Sequence, residues 1–308
     1  MLSISKCMDE YDIAQEVRFE RQVHKGSILL LEGPTDVKRF AEFLDDFECS
    51  IANCYGRGKA GKAIRLLSED GFLGVLAVLD CDFDRILKRL VEHENIVYSD
   101  LHDYDIEWIT DDVFRRYLFQ VGDSAKCSAM GGHQQILQKV LKGIKPLSIL
   151  KLLNANGNIR FKLSMLKMED FSDGFSVDID KLVDGVFEGR TADANAKADL
   201  RQKIERLVPR NFDLLQISNG HDVMTAIGLA LRGGIGSRSI PQTWGSEIEL
   251  HLRLTFTDAE FMKASIYNGI IEWEYLNNPY RVIHSRLRPK SISGSKTDST
   301  TTVATAPS

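Results

Sequence analysis

Two apolar stretches, Ile28-Leu29-Leu30-Leu31-Glu32-Gly33 and Val75-Leu76-Ala77-Val78-Leu79-Asp80-Cys81-Asp82, decide the fold. Each is an unbroken apolar run of strand length rather than an alternating one, the pattern of a parallel strand covered on both faces. Each run stops at a carboxylate. In open α/β sheets the crevice beyond the carboxyl ends of the strands is where ligands bind, so the spacing predicts that Glu32, Asp80 and Asp82 converge. Carboxylates gathered in one crevice repel one another, and a divalent cation relieves that repulsion.

Outward from these runs, Ser27 to about residue 119 alternates strands and amphipathic helices at βαβ spacing, which predicts α/β architecture with a parallel sheet. Gly33-Pro34 opens a helix whose stripe is Val37, Phe40, Ala41, Leu44 and Phe47. Residues 49–55 read as a second strand, 56–61 as a glycine-rich loop, and Ala60, Ala63, Ile64 and Leu67 as the buried stripe of the next helix. A helix over 86–91 and a short strand over 95–98 follow Asp82. Residues 121–210 read as a helical insertion offering a dimer surface, with a glycine- and aspartate-rich break at 170–190. Phe212 to Ile217 predicts a late strand rejoining the core, followed by a helix carrying Val223, Ile227 and Leu231. The divisions expected are a core over 1–120, the insertion over 121–210, a return to the core over 211–290, and a disordered tail over 291–308.

Composition bounds the function loosely. With 308 residues and 43% apolar content the chain has enough material for a sizeable core. A net charge of −5 supplies no global attraction to nucleic acid, although bound cations reverse the local field. Five cysteines without a Cys-x-x-Cys pair support neither a disulfide framework nor a structural zinc site. The chain carries no membrane-length apolar run and no signal-peptide core at its start, so the cytoplasm is the expected compartment and no membrane partner is expected.

Strand-Glu-Gly-x-x-Asp (Leu31 to Asp36) followed by strand-Asp-x-Asp (Leu79 to Asp82) resembles the Toprim domain, the Mg²⁺-dependent module of topoisomerases, primases and the overcoming-lysogenization-defect nucleases. His102, Asp103 and Glu107, together with the late Asn219-Gly220-His221-Asp222, look closest to the Toprim effector nucleases of PARIS anti-phage systems. That resemblance implies a Toprim-like, mostly parallel sheet and a metal-dependent endonuclease with Glu32 as acid/base and metal-side residue. Asp80 and Asp82 would be the metal holders. Mg²⁺ is implied, in one or two ions, with Mn²⁺ able to substitute. It further implies cleavage of host transfer RNA in abortive infection, restraint by a partner ABC- or AAA-type ATPase, and action as a homodimer.

Other residues enter by their chemistry. Asp84 extends the run to Asp-x-Asp-x-Asp, where it serves either as a ligand or as a helix cap. Asp103 and Glu107 stand four apart, which on a helix puts them on one face as candidates for a second ion. His221 is a catalytic candidate beside a predicted strand end, or a packed capping histidine. Lys59, Lys62 and Arg65 adjoin the predicted ligand edge as candidates for substrate phosphate, against the ordinary solvated face. Asp36 is explained by the helix dipole alone, and the basic stretch 281–290 carries no specific signal.

Three other functions compete. Gly56 to Lys62 satisfies the spacing of an NTPase phosphate-binding loop, although Ala63 stands where a hydroxyl should meet Mg²⁺. Asp80-Cys81-Asp82 fits the nucleophile and acid/base pair of a haloacid-dehalogenase-like phosphatase. A non-catalytic regulatory binding subunit is the third.

Overall fold

The computed structural model describes residues 8–157, 159–189 and 194–288. The N-terminal half runs α1 (Glu10–Val23), β1 (Ser27–Leu31), α2 (Pro34–Phe40), β2 (Cys49–Asn53), α3 (Arg57–Glu69), β3 (Val75–Leu79), β4 (Ile96–Tyr98), α4 (Tyr104–Trp108) and α5 (Asp111–Val121). Helices then dominate: α6 (Ser124–Ala129), α7 (Gly132–Gly143), α8 (Lys145–Ala155), α9 (Ile179–Val186), α10 (Ala194–Leu207), α11 (Leu214–Ile217), α12 (Gly220–Gly233), α13 (Gly245–Thr255), α14 (Asp258–Phe261) and α15 (Ser265–Leu276).

Among the described residues the sheet has four strands, all parallel, in the order β2-β1-β3-β4. The α/β class with a parallel sheet flanked by helices and a helical insertion stands as the sequence predicts. Both faces of β1 and β3 are fully buried, which is why their sequences show no alternation. Ile28, Leu30, Ala77 and Leu79 pack with Ile13, Ala14 and Val17 of α1 and with Ala60, Ala63, Ile64 and Leu67 of α3. Leu29, Leu31, Leu76 and Val78 face the opposite way, into a far larger cluster that includes Phe40, Phe43, Tyr104, Trp108 and Phe261. Residues of the insertion, among them Ile136, Val140, Leu150, Leu182 and Ile204, belong to that same cluster, so the insertion extends the core of the sheet's second face.

Several local expectations are corrected. The stripe after Pro34 ends early: α2 stops at Phe40, one 3₁₀ turn follows, and Phe47 is 95% exposed. Leu44 is already extended, and beyond it Asp45 Oδ1 accepts the Phe47 N–H at 3.1 Å in an Asx turn that keeps the chain out of a helix. Residues 86–91 form no helix, because Lys88 takes a left-handed φ of 55° that an α-helix does not accommodate. Phe212 to Ile217 is not a strand. Asp213 Oδ1 accepts the Leu215 N–H at 3.0 Å and starts the single helical turn α11 instead.

The glycine-rich segment is also not the loop its composition suggests. Tyr55 and Gly56 make the turn with φ of 53° and 134°, and α3 begins at Arg57, so Gly58 to Lys62 is helical. An NTPase loop reading loses its loop with that. The helix over Val223, Ile227 and Leu231 is present as α12, with all three side chains buried. The expected tail over 291–308 lies outside the described residues. Among the described residues no helix is long and apolar enough to cross a membrane. Cys49, Cys54, Cys81 and Cys127 are free thiols.

Candidate functional site

β1 and β3 are direct neighbours with Leu31 opposite Val78, so Glu32 and Asp80 leave the sheet side by side. Glu32 Oε1 accepts the Asp80 N–H at 2.7 Å, and Asp80 Oδ1 accepts the Tyr104 N–H at 3.0 Å, at the first residue of α4. One oxygen of each acid is thereby fixed by a backbone donor. The other carries no hydrogen bond among the described residues. Beyond Asp80 the chain turns sharply: the Cys81 N–H donates to Ser99 Oγ at 2.8 Å, the Asp82 N–H to the His102 carbonyl at 2.7 Å, and Asp82 adopts a φ of 49°.

Burial and mutual repulsion raise these acids together. Glu32 is pushed up to about 8, first by desolvation and then by the charges of Asp82 and Asp36. Asp80 is raised well above the ordinary aspartate range, by desolvation and then by Glu32 and Asp103. Asp103 is pushed up to about 7 by desolvation and by Asp105. All three acids thus favour the protonated form more than exposed carboxylates do, and a cation would offset the same cost.

Asp103 caps α4, Oδ1 accepting the Ile106 N–H at 2.9 Å. Its Oδ2 accepts the Gly220 N–H at 2.8 Å and Asn219 Nδ2 at 3.1 Å, tying the start of α12 to the site. The Asn-Gly-His-Asp stretch is legible in this geometry. A Cβ at Gly220 would stand 2.0 Å from Asp105 Cβ, so the approach requires glycine. Gly220→Ala is expected to destabilise the chain by about 3 kcal/mol or more through overpacking and the lost Asp103 contacts, read as a lowered denaturation midpoint at unchanged slope.

Behind the acids lies a buried ionic network that the sequence reading missed. The Arg39 side chain, 4% exposed, reaches Asp105, Glu249 at 2.9 Å and Asp36 at 3.4 Å, and Glu249 also pairs with Arg253. The Gly33 N–H donates to Asp36 Oδ2 at 3.0 Å, so Asp36 does more than complement a dipole. His221 sits on the rim of this network, 63% exposed, with Nε2 3.6 Å from Asp105 and Nδ1 3.8 Å from Glu249. Asp36 and Arg39 stand three apart and Glu249 and Arg253 four apart, spacings that mark helix pairs, but nothing local announces that the two pairs meet.

Asp82 and Asp84 turn toward Arg57, whose guanidinium reaches Asp82 Oδ2 at 3.1 Å and Asp84 Oδ2 at 2.7 Å. Asp82 remains near enough for its charge to raise Glu32. His102 Nε2 is 4.0 Å from Asp82 Oδ1, its Nδ1 is 3.3 Å from the Gln216 carbonyl, and burial lowers its basicity. Glu107 is not brought to Glu32 and Asp80. Its Oε1 accepts the N–H groups of Asp100 and Leu101, and the side chain lines a separate cavity of about 490 Å³. Desolvation, then Asp100, pushes Glu107 up to about 7. Of the basic candidates, Lys62 and Arg65 line a cavity beside Asp84, with Lys62 also 3.1 Å from Glu10, and Lys59 lies on the first turn of α3.

Among the described residues no three His, Cys, Asp or Glu side chains are grouped so as to hold a metal ion together. The donor chemistry nonetheless fits Mg²⁺, which takes oxygen ligands and is commonly held by one or two carboxylates with water and phosphate completing the shell. Glu32 and Asp80 supply two hydrogen-bond-free oxygens in a site with excess negative charge. Asp82 is withheld by Arg57. Compared with known proteins, the chain matches no family model and no curated sequence.

Proposed function

We propose that the chain is a Toprim-type, Mg²⁺-dependent nuclease that hydrolyses phosphodiester bonds of nucleic acid. The observation that carries this reading is the interlocked pair at the ends of β1 and β3, where Glu32 Oε1 accepts the Asp80 N–H at 2.7 Å. Glu32 and Asp80 would hold the ion, with Asp82 joining when Arg57 releases it. Bound Mg²⁺ supplies charge stabilisation to phosphoryl oxygens and lowers the pKa of a coordinated water.

The chain's own groups provide the rest. Glu32 Oε1 is occupied by a backbone donor, which leaves Oε2 as the oxygen that would meet the ion or exchange a proton, and burial raises the carboxyl above the ordinary glutamate range. A carboxyl with that poise suits proton transfer near neutral pH. His221, exposed and braced by Asp105 and Glu249, is available to orient substrate. Lys62 and Arg65 would meet substrate phosphates.

The resemblance to the PARIS effectors extends the proposal to transfer RNA as substrate, to a restraining ATPase and to a homodimeric active form. The direct test incubates the purified chain with labelled transfer RNA, plasmid DNA and ATP, in Mg²⁺ or Mn²⁺ and in chelator. Metal-dependent cleavage of a polynucleotide is expected. ATP turnover without cleavage would move the chain to the NTPase reading, release of phosphate from monoesters alone to the phosphatase reading, and inertness to the regulatory subunit.

A further inference from the structure

The cavity beside Asp84 has a volume of about 290 Å³ and is lined by Arg57, Lys62, Arg65, Arg89, Asp84 and Tyr98. Four cations face one acid there. Arg65 has no hydrogen bond or ion pair among the described residues. Arg89 has no acidic partner among the described residues, its guanidinium donating to the Ala155 carbonyl at 3.0 Å and to Asn156 Oδ1 at 2.7 Å at the end of α8. Arg57 opens α3, a helix of 13 residues without a side-chain cap or an acid in its first turn, so its positive pole adds to the field in the cavity. The arginine also lies over Tyr98, its guanidinium carbon 5.7 Å from the ring centroid.

Arg57 thus belongs to two places at once. It lines the cationic cavity, and it spends its fork on Asp82 and Asp84 at the edge of the acidic site. A phosphate and a divalent cation therefore compete for opposite halves of the same ion pair. Resting on the nuclease reading of the acids, we propose that this cavity binds a phosphate group of a polynucleotide strand and that Arg57 is the latch coupling it to the cation site. Phosphate entering the cavity draws the guanidinium off Asp82 and Asp84 and frees their carboxylates for the cation. Cation binding at the acids likewise releases Arg57 to the phosphate. Because the two events share one broken ion pair, each must strengthen the other by the same factor.

The test titrates the full chain with Mn²⁺ by electron paramagnetic resonance, alone and with a saturating phosphorothioate-blocked oligonucleotide or with inorganic phosphate. In the wild type the oligonucleotide is expected to tighten Mn²⁺ binding about tenfold, a coupling of typical size, and Mn²⁺ to tighten the oligonucleotide equally. Inorganic phosphate reproducing the whole effect would assign the cavity to a free anion and overturn the strand proposal. Arg57→Gln is expected to bind Mn²⁺ more tightly without oligonucleotide and to show no coupling. Arg57→Lys keeps the charge but lacks the fork that spans two carboxylates, so reduced coupling in this variant separates a latch from simple charge repulsion. The double variant Arg65→Ala, Arg89→Ala should weaken the oligonucleotide while leaving Mn²⁺ binding alone unchanged.

Coupling of wild-type size in Arg57→Gln overturns the latch while leaving the nuclease reading intact. Mn²⁺ binding by Glu32→Gln indistinguishable from the wild type removes the nuclease reading of the acids, and the Arg57 variants then decide the latch separately. No Mn²⁺ binding by any form overturns both.

Discussion

Glu32→Gln is expected to keep the fold and lose cleavage by about 10²–10⁴-fold, the contribution of a positioned proton-transfer group. The substitution is nearly isosteric, and the new amide oxygen still accepts the Asp80 N–H that Glu32 accepts at 2.7 Å. What disappears is the charge that would hold a cation and the site that would exchange a proton. In the absence of divalent ions the variant should melt higher than the wild type above about pH 8, where Glu32 would otherwise carry a charge that burial and then Asp82 and Asp36 disfavour. Initial rates on labelled transfer RNA in Mg²⁺, with thermal melts of the same samples, read both halves. Wild-type cleavage by this variant would remove Glu32 from the chemistry.

Stability should fall with rising pH when divalent ions are absent. Glu32 ordinarily titrates near 4.5 and is pushed up to about 8 in the fold, so across that window the folded chain binds more protons than the unfolded one. Stability is then highest below the unfolded value and declines as pH rises through the folded one. Asp103 and Glu107, each pushed up to about 7, steepen the lower part of the decline, and Asp80 acts in the same direction. Between pH 6 and 8.5 in chelator the melting temperature is expected to drop by several degrees, about what a loss of 1–2 kcal/mol produces in a chain of this size. Mg²⁺ replaces the proton as the counter-charge, so its stabilising shift should be larger at pH 8.5 than at pH 6, and Glu32→Gln should flatten both trends. A melting temperature indifferent to Mg²⁺ at every pH would contradict a cation site at these acids.

How far the sequence reaches is set by how local each signal is. The runs at β1 and β3 carry their own boundary marks, and because both faces are covered the absence of alternation is itself informative. Neighbouring parallel strands then bring Glu32 and Asp80 together without further instruction. Asp82 defeats the same logic, since its backbone takes a left-handed turn and Arg57, 25 residues away in the chain, draws its side chain aside. Glycines at 56, 58 and 61 read as a loop, yet only Gly56 uses a conformation that favours glycine, and the helix runs through the other two. Phe212 to Ile217 is apolar enough for a strand, and a single aspartate cap sends it into a helical turn. Four-residue spacing alone did not reveal that Asp103 commits its carboxylate to the α4 cap and to Gly220 while Glu107 is held by the Asp100 and Leu101 N–H groups. Arg39, Asp105, Glu249 and His221 meet only because α2, α4, α12 and α13 pack together, a tertiary fact with no local trace.

The tether from Asp103 to the Gly220 N–H joins positions 117 apart in the chain. Glu32 and Asp80 take their backbone donors from residues 80 and 104, whereas Oδ2 of Asp103 is paired, among the described residues, only by Asn219 and Gly220, far later in the chain. The residues that open α12 are thus what completes the pairing of Asp103, so the sheet edge and the later helices close on each other as one unit.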